Sequence, residues 1–294
     1  MAICSQIPCI IFPWAVGGDL WEFWRAEHPR DFLSCLKQIA GLTRALEAIH
    51  EVNCRHGDLK PANILYFNEG GSGILKIADL GIARAHTKPT FERADKTSTL
   101  ASTRAYEGPE ASENYISDTA RSRRYDCWSM GCIIFEFVVW LLFDFEALES
   151  FESHRDPENY EYYRRRFVAN PTEPWEMMEV HPKVYTAIDL VRNDERCTGT
   201  SLETLVNLVH EKLLKTNYKD RLCAACLHNS VQEIIERAQN DPSYLVKVVE
   251  PLPATPSIFS QPVVRPKRKS TSQWNSSNQK MNKFRASSYY IFGL

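Results

Sequence analysis

The chain has 294 residues, 44% of them hydrophobic and 24% charged, enough apolar content to bury one large or two small cores. A net charge of −2 excludes wholesale nucleic-acid binding, but the charge is uneven: residues 251–294 carry seven Lys or Arg and no acid, and taking those seven away leaves −9 on residues 1–250. Nine cysteines, odd in number and scattered through apolar runs, read as reduced thiols of an intracellular protein, cytoplasmic or nuclear, rather than as a disulfide framework.

Residues 7–16 are apolar, but no basic stretch precedes them and Pro8 and Pro13 interrupt them, so they do not read as a signal peptide. Cys9-Ile10-Ile11-Phe12 reads as a buried strand, followed at Pro13–Leu20 by a turn and a helix start. From 31 to 51, Leu36, Ile39, Leu42, Leu46 and Ile49 keep helical spacing with Asp31 as N-cap. This helix leads into residues 53–67, which place His56, Asp58, Lys60 and Asn63 in a short polar loop ahead of the β-prone run Ile64–Phe67. A carboxylate, an ammonium and an amide at this spacing can take a hydroxyl proton, neutralise a transferring phosphoryl group and hold a metal ion. A second strand at Ile74–Ile77 ends near Asp79, and the Asn68–Gly73 turn between the strands brings Asp58, Asn63 and Asp79 together.

Residues 82–101 are polar and read as irregular. Gly131–Phe143 is the longest apolar run; it is too short to span a membrane, contains Glu136 and reads as a buried helix. From Asp144 to Asn170 the chain is acidic and aromatic, then basic, as expected of surface loops and helices. Apolar spacing predicts helices over 202–215 and 230–239. Cys223-Ala-Ala-Cys226 lacks a second pair at metal-ligand spacing and reads as core packing. Pro251–Pro266 and the Ser/Asn-rich run to Asn282 lack periodicity and are expected to be disordered; Arg265–Lys269 has the composition of a nuclear signal or of a solvated basic tail.

The stretch from His56 to Asn63 resembles the catalytic loop of protein kinases, His-Arg-Asp-x-Lys-x-x-Asn, and Asp79-Leu80-Gly81 resembles their Asp-Phe-Gly motif. Gly57 replaces the usual Arg and Leu80 the usual Phe. The loop alone also resembles small-molecule kinases of the aminoglycoside and choline type. Gly108-Pro109-Glu110, similar to Ala-Pro-Glu, and Asp126-Cys-Trp-Ser-Met-Gly131, similar to the start of the central large-lobe helix, favour protein kinases; Lys60 with Thr103 indicates the serine/threonine class.

The resemblance implies an α+β, mainly helical fold: a kinase-like C-lobe with short β-hairpins at the cleft, an incomplete kinase fold. Residues 1–18 would be the last small-lobe strand and hinge, 19–245 the large lobe and 246–294 a basic tail. It implies ATP and Mg2+ as cofactors and a protein Ser or Thr as substrate, with partner docking on the large lobe, no specific nucleic acid and no membrane. Asp58 would accept the hydroxyl proton, Lys60 stabilise charge at the γ-phosphate, Asn63 and Asp79 hold magnesium, and Thr103 shape the acceptor site. Phe12 would be the gatekeeper, Pro13 and Ala15 would face adenine, Asp19 would reach the ribose, and Leu65 would floor the adenine site. His56, Leu80, Gly81, Glu110, Asp126 and Arg221 would be structural, Glu110 and Arg221 as a buried ion pair. Only about a dozen residues precede the hinge, where a kinase carries its glycine-rich loop and strand lysine. The expectation is a fragment of a longer kinase or a kinase-derived chain, with a catalytically dead scaffold or decoy as the alternative.

Overall fold

The computed structural model describes residues 2–4, 7–9, 13–26, 30–68, 73–80, 84–85, 104–112, 122–155, 161–250 and 252–260. At the N-terminus β1 (Ala2–Cys4) pairs antiparallel with β2 (Ile7–Cys9). The expected strand over Cys9–Phe12 therefore starts at Ile7, and its last residues, Phe12 among them, lie outside the described set. Asp19 caps α1 (Leu20–Arg25): its carboxylate accepts from the Glu22 N–H at 2.9 Å, while the Glu22 carboxylate accepts from the Asp19 N–H at 3.2 Å. This reciprocal box satisfies donors that a short helix otherwise leaves unpaired. Asp31 caps α2 (Phe32–Glu51) with its carboxylate, which accepts from the Ser34 N–H, and all five apolar residues expected on the inner face of this helix are buried.

After α2 come β3 (Cys54–Arg55), β4 (Ile64–Phe67) and β5 (Ile74–Ile77), the last two forming an antiparallel hairpin from Ile64↔Ile77 to Phe67↔Ile74. Gln38 ties this hairpin to α2, donating to the Gly73 carbonyl and accepting from the Leu75 N–H, both at 2.8 Å. β6 (Arg84–Ala85) pairs antiparallel with β3, so the segment expected to be irregular from 82 to 101 contains a short strand; its other residues lie outside the described set.

The core is built around α3 (Arg124–Leu142), whose residues from Tyr125 onward are all buried. Among the described residues it is the one helix long and apolar enough to cross a membrane, yet its apolar window is wholly inside the protein. Against it pack α4 (Phe145–Arg155), α6 (Ser201–Leu208) and, through α2, α7 (Ala224–Asn240). The expectation that 144–170 is surface holds for 164–170 and is corrected for α4, Tyr162 and Tyr163, which are buried in part or in full. Glu136 inside α3 requires a cation, and α4 supplies one: buried Arg155 pairs with Glu136 at 2.9 Å and lies over the rings of Phe151 and Tyr162. The chain then forms the hairpin β7 (Tyr163–Arg165) and β8 (Met178–Val180), followed by α5 (Pro182–Arg192).

The helix expected over 202–215 is α6 followed by a π-helical turn at Val209–Leu213. A Cβ on Gly131 would lie 2.8 Å from the Leu213 Cβ, so the glycine lets that turn press directly onto α3. Two further expectations are overturned. Cys223 and Cys226 are not core residues: Cys223 caps α7 and is only partly buried, and Cys226 is exposed. The start of the tail is not disordered: residues 252–260 end in a turn that buries Ile258 and Phe259.

Candidate active site

The polar loop after β3 is fixed from beneath by Asp126, at the start of α3. Its Oδ2 accepts from the His56 N–H and its Oδ1 from the Gly57 N–H, both at 2.9 Å, while His50 Nε2 approaches Oδ2 at 2.9 Å. Fully buried, the carboxylate would be pushed toward its neutral form, but the hydrogen bond and charge of His50, with the charge of Arg55, hold it below the usual carboxylate range. Gly57 has φ +87°, a left-handed conformation that glycine adopts without strain, and this turn aims both N–H groups at Asp126. His56 is completely buried; its Nε2 contacts the Ala78 carbonyl at 2.9 Å and its Nδ1 accepts from the Asp58 N–H at 3.3 Å. Those contacts place its proton on Nε2 and make it a strut between the loop and the residue before Asp79.

Above that strut the reactive side chains converge. Lys60 Nζ lies 2.7 Å from Asp58 Oδ2, and Asn63 Nδ2 donates to the Asp58 carbonyl at 2.8 Å and to Oδ2 at 3.2 Å. The Asn63 carbonyl accepts from the Ala78 N–H at 2.8 Å, which extends the β4–β5 pairing and sets Asp79 beside the loop. Asp79 itself has φ +61°, a strained conformation for a residue with a Cβ, held by its neighbours. With the Asn63 amide nitrogen committed to Asp58, the Asn63 amide oxygen and the Asp79 carboxylate offer two hard oxygen donors, the type that suits Mg2+ completed by waters and phosphate oxygens. The residues present therefore fit the ion.

The segment from Pro13 to Asp19 is stitched to the same hairpin. Gly17 N–H donates to the Tyr66 carbonyl at 3.2 Å, Tyr66 N–H donates to the Gly18 carbonyl at 2.9 Å, and Asp19 bridges to Leu65. A Cβ on Gly17 would meet Tyr66 at 2.2 Å, and Gly18 has φ +71°, so the glycine pair is needed for this approach. Leu65 thus sits directly beside the segment that carries Pro13, Ala15 and Asp19, with Trp14 and Val16 exposed on it. Burial raises the pKa of the Asp19 carboxyl, partly offset by its hydrogen bond from Glu22.

Glu110, in the turn Pro109–Ala111, and Arg221 form a bidentate pair at 2.6 and 2.7 Å, both buried. The guanidinium also donates to the Lys215 carbonyl and lies over Trp128. Leu80 is partly buried against the core. Phe12, Gly81 and Thr103 lie outside the described residues. Two residues of the site went unremarked in the sequence: His50, and Arg123, which donates to the His50 carbonyl at 2.7 Å and so fixes the end of α2. Both lie near the loop in sequence or at the start of α3, but neither belongs to a recognisable motif.

A sequence model described as the protein kinase domain matches residues 5–231. The serine/threonine-protein kinase cds1 of Schizosaccharomyces pombe is 33% identical over 129 residues, covering 43% of this chain and 26% of that protein. Mitogen-activated protein kinase 6 of Oryza sativa is 37% identical over 120 residues, 41% of this chain and 29% of that protein. A cAMP-dependent protein kinase catalytic subunit-like protein of Caenorhabditis elegans is 30% identical over 132 residues, 44% and 29% respectively. The chain matches between about a quarter and a third of the length of each of these relatives.

Proposed function

The chain belongs to the protein kinase family, and from that premise we propose that the loop from His56 to Asn63 serves transfer of the γ-phosphoryl group of ATP to a serine or threonine hydroxyl of a protein. The observation that carries this reading is the Asp58 carboxylate braced by Lys60 at 2.7 Å and by Asn63, on a loop that Asp126 clamps from below. Held so, Asp58 orients the acceptor hydroxyl and takes its proton, and Lys60 neutralises charge on the phosphoryl oxygens. Asn63 and Asp79 would hold Mg2+, which when bound neutralises the phosphate charge that builds up in transfer. Thr103 would shape the acceptor site. The backbone of Pro13 and Ala15 takes adenine, with Leu65 beneath it and Asp19 toward the ribose, and Phe12 would serve as gatekeeper. The serine/threonine class is supported by Lys60 with Thr103 and by the relatives.

In kinases the glycine-rich loop and its lysine lie upstream of the hinge, so the assay joins this chain behind a kinase small lobe that supplies both. Phosphorylation of a general Ser/Thr protein substrate is expected, and Asp58→Asn is expected to lower its rate at least about a hundredfold, since positioning and charge effects carry most of such catalysis. A D58N rate within about threefold of the parent overturns the assignment.

A further inference from the structure

The pair Cys223 and Cys226 lies outside the site just described and is used by none of its steps. Cys223 is the N-cap of the 17-residue helix α7, where its Sγ accepts from the Cys226 N–H at 3.2 Å; Cys226 follows in the first turn, its Sγ 2.8 Å from the Cys223 Sγ. The two sulfurs are thus already in contact, on a backbone that brings them together without distortion, and Cys226 is open to solvent. We propose that this pair is a thiol–disulfide exchange site that reacts with low-molecular-weight disulfides such as oxidised glutathione.

The order of attack follows from the cap. A thiolate at a helix N-terminus is stabilised by the amide it accepts from and by the positive end of the helix. Burial works to raise the Cys223 thiol, but the Cys226 thiol and amide and the nearby Arg124 guanidinium outweigh it and hold that thiol below its ordinary range. The hydrogen-bonding contact with the Cys223 sulfur raises the Cys226 thiol in turn. Elsewhere among the described cysteines, Cys35, Cys127, Cys132 and Cys197 are buried, and burial pushes Cys35 and Cys197 up to about 12. Cys54, half-buried, is also raised by burial. Among the described cysteines, nucleophilic thiolate is therefore concentrated at position 223.

Cys223 as thiolate attacks one sulfur of the glutathione disulfide; a protein–glutathione S–S bond forms, the original S–S bond breaks, and one glutathione thiolate leaves. Cys226 then gives up its proton and attacks the Cys223 Sγ, forming the Cys223–Cys226 bond and releasing the second glutathione thiolate. Two protein thiols are oxidised, one glutathione disulfide is reduced to two thiols, and the protons end on the two glutathiones. The ring closed is short, so little conformational entropy is removed and α7 stays in place.

The test treats the full chain with oxidised glutathione, quenches with iodoacetamide and maps each cysteine by mass spectrometry. Expected is the loss of labelling at Cys223 and Cys226, with a bond between these two and no lasting glutathione adduct on either in the parent. Cys226→Ser should trap glutathione on Cys223, and Cys223→Ser should slow the remaining reaction at least about tenfold. Both variants should fold: serine is itself a good N-cap, and Cys226 is exposed. Both cysteines still labelled after treatment, a persistent glutathione adduct on Cys223 or Cys226 of the parent, prior loss of Cys54, or an undiminished rate in C223S would each overturn the proposal.

Discussion

At Asp126 a single carboxylate accepts two consecutive backbone amides of the loop and faces His50 as well. Because its folded-state pKa is held below the unfolded value of about 3.9, its contribution to stability is present above that pH and is lost as pH falls through the depressed folded value. Asp126→Asn should therefore cost about 2–3 kcal/mol at neutral pH, the scale of hydrogen bonds to a charged group, and should flatten the loss of stability on acidification. Urea unfolding at pH 7 and at steps from about pH 4 down to about pH 2 measures both effects; parent and variant stabilities that fall in parallel below about pH 4 would show that this group does not drive the acid limb. Asp58, Lys60 and Asn63 were legible in the sequence because one tight loop holds all three within six positions, whereas Asp126, whose loop partners lie 69 and 70 residues away, was reached only through the resemblance of the α3 start to the kinase helix. His50 was not, because its role depends on a helix end 76 residues away in sequence from Asp126. Gly57 was legible as a missing side chain, but the positive φ that turns two amides toward Asp126 was not.

At the scale of elements, the buried pair of Glu110 and Arg221 joins the turn at 109–111 to the segment ahead of α7. Removing one partner strands a charge among apolar atoms, a loss of about 3–5 kcal/mol, whereas an exposed pair contributes under about 1. Arg221→Ala should lower Tm by roughly 6–15 °C, while Arg164→Ala, whose partner Glu179 lies on the open face of β7–β8, should shift it by a few degrees at most. Equal melts for the two variants would place Glu110 in solvent. The buried faces of α2 and α7 were legible from apolar periodicity. The inward side of α4 was hidden because Arg155, Ser150 and Glu152 are polar residues buried through specific partners. α5 carried a readable signal, Val184, Ala187, Ile188 and Val191 at helical spacing after Pro182, and β7 and β8 are each only three residues long, too short for alternation to stand out.

Across the molecule, residues 252–260 return to the far end of α3 and close the core after α7 has ended. Phe259 stacks on Phe143 with ring centroids 4.8 Å apart and meets Phe151 at 5.9 Å, while Ser150 Oγ donates to the Ile258 carbonyl at 3.0 Å. A proline-rich stretch holding one short apolar pair has no period to detect, so its composition resembled that of the basic tail after it; what orders it is the site it fills. Deleting a buried phenylalanine removes its transfer energy and leaves a cavity, a loss of about 3–5 kcal/mol. Phe259→Ala should accordingly lower Tm by roughly 6–15 °C, whereas Leu252→Ala, in the same segment but 73% exposed, should stay within about 0.5 kcal/mol of the parent. Ending the chain at Glu250 should reproduce the F259A loss and not exceed it greatly, since Phe259 and Ile258 supply most of the buried surface of the segment. Thermal melts of the three variants decide the matter: an F259A melt matching that of L252A would mean that the segment does not pack on Phe143 and Phe151 in solution.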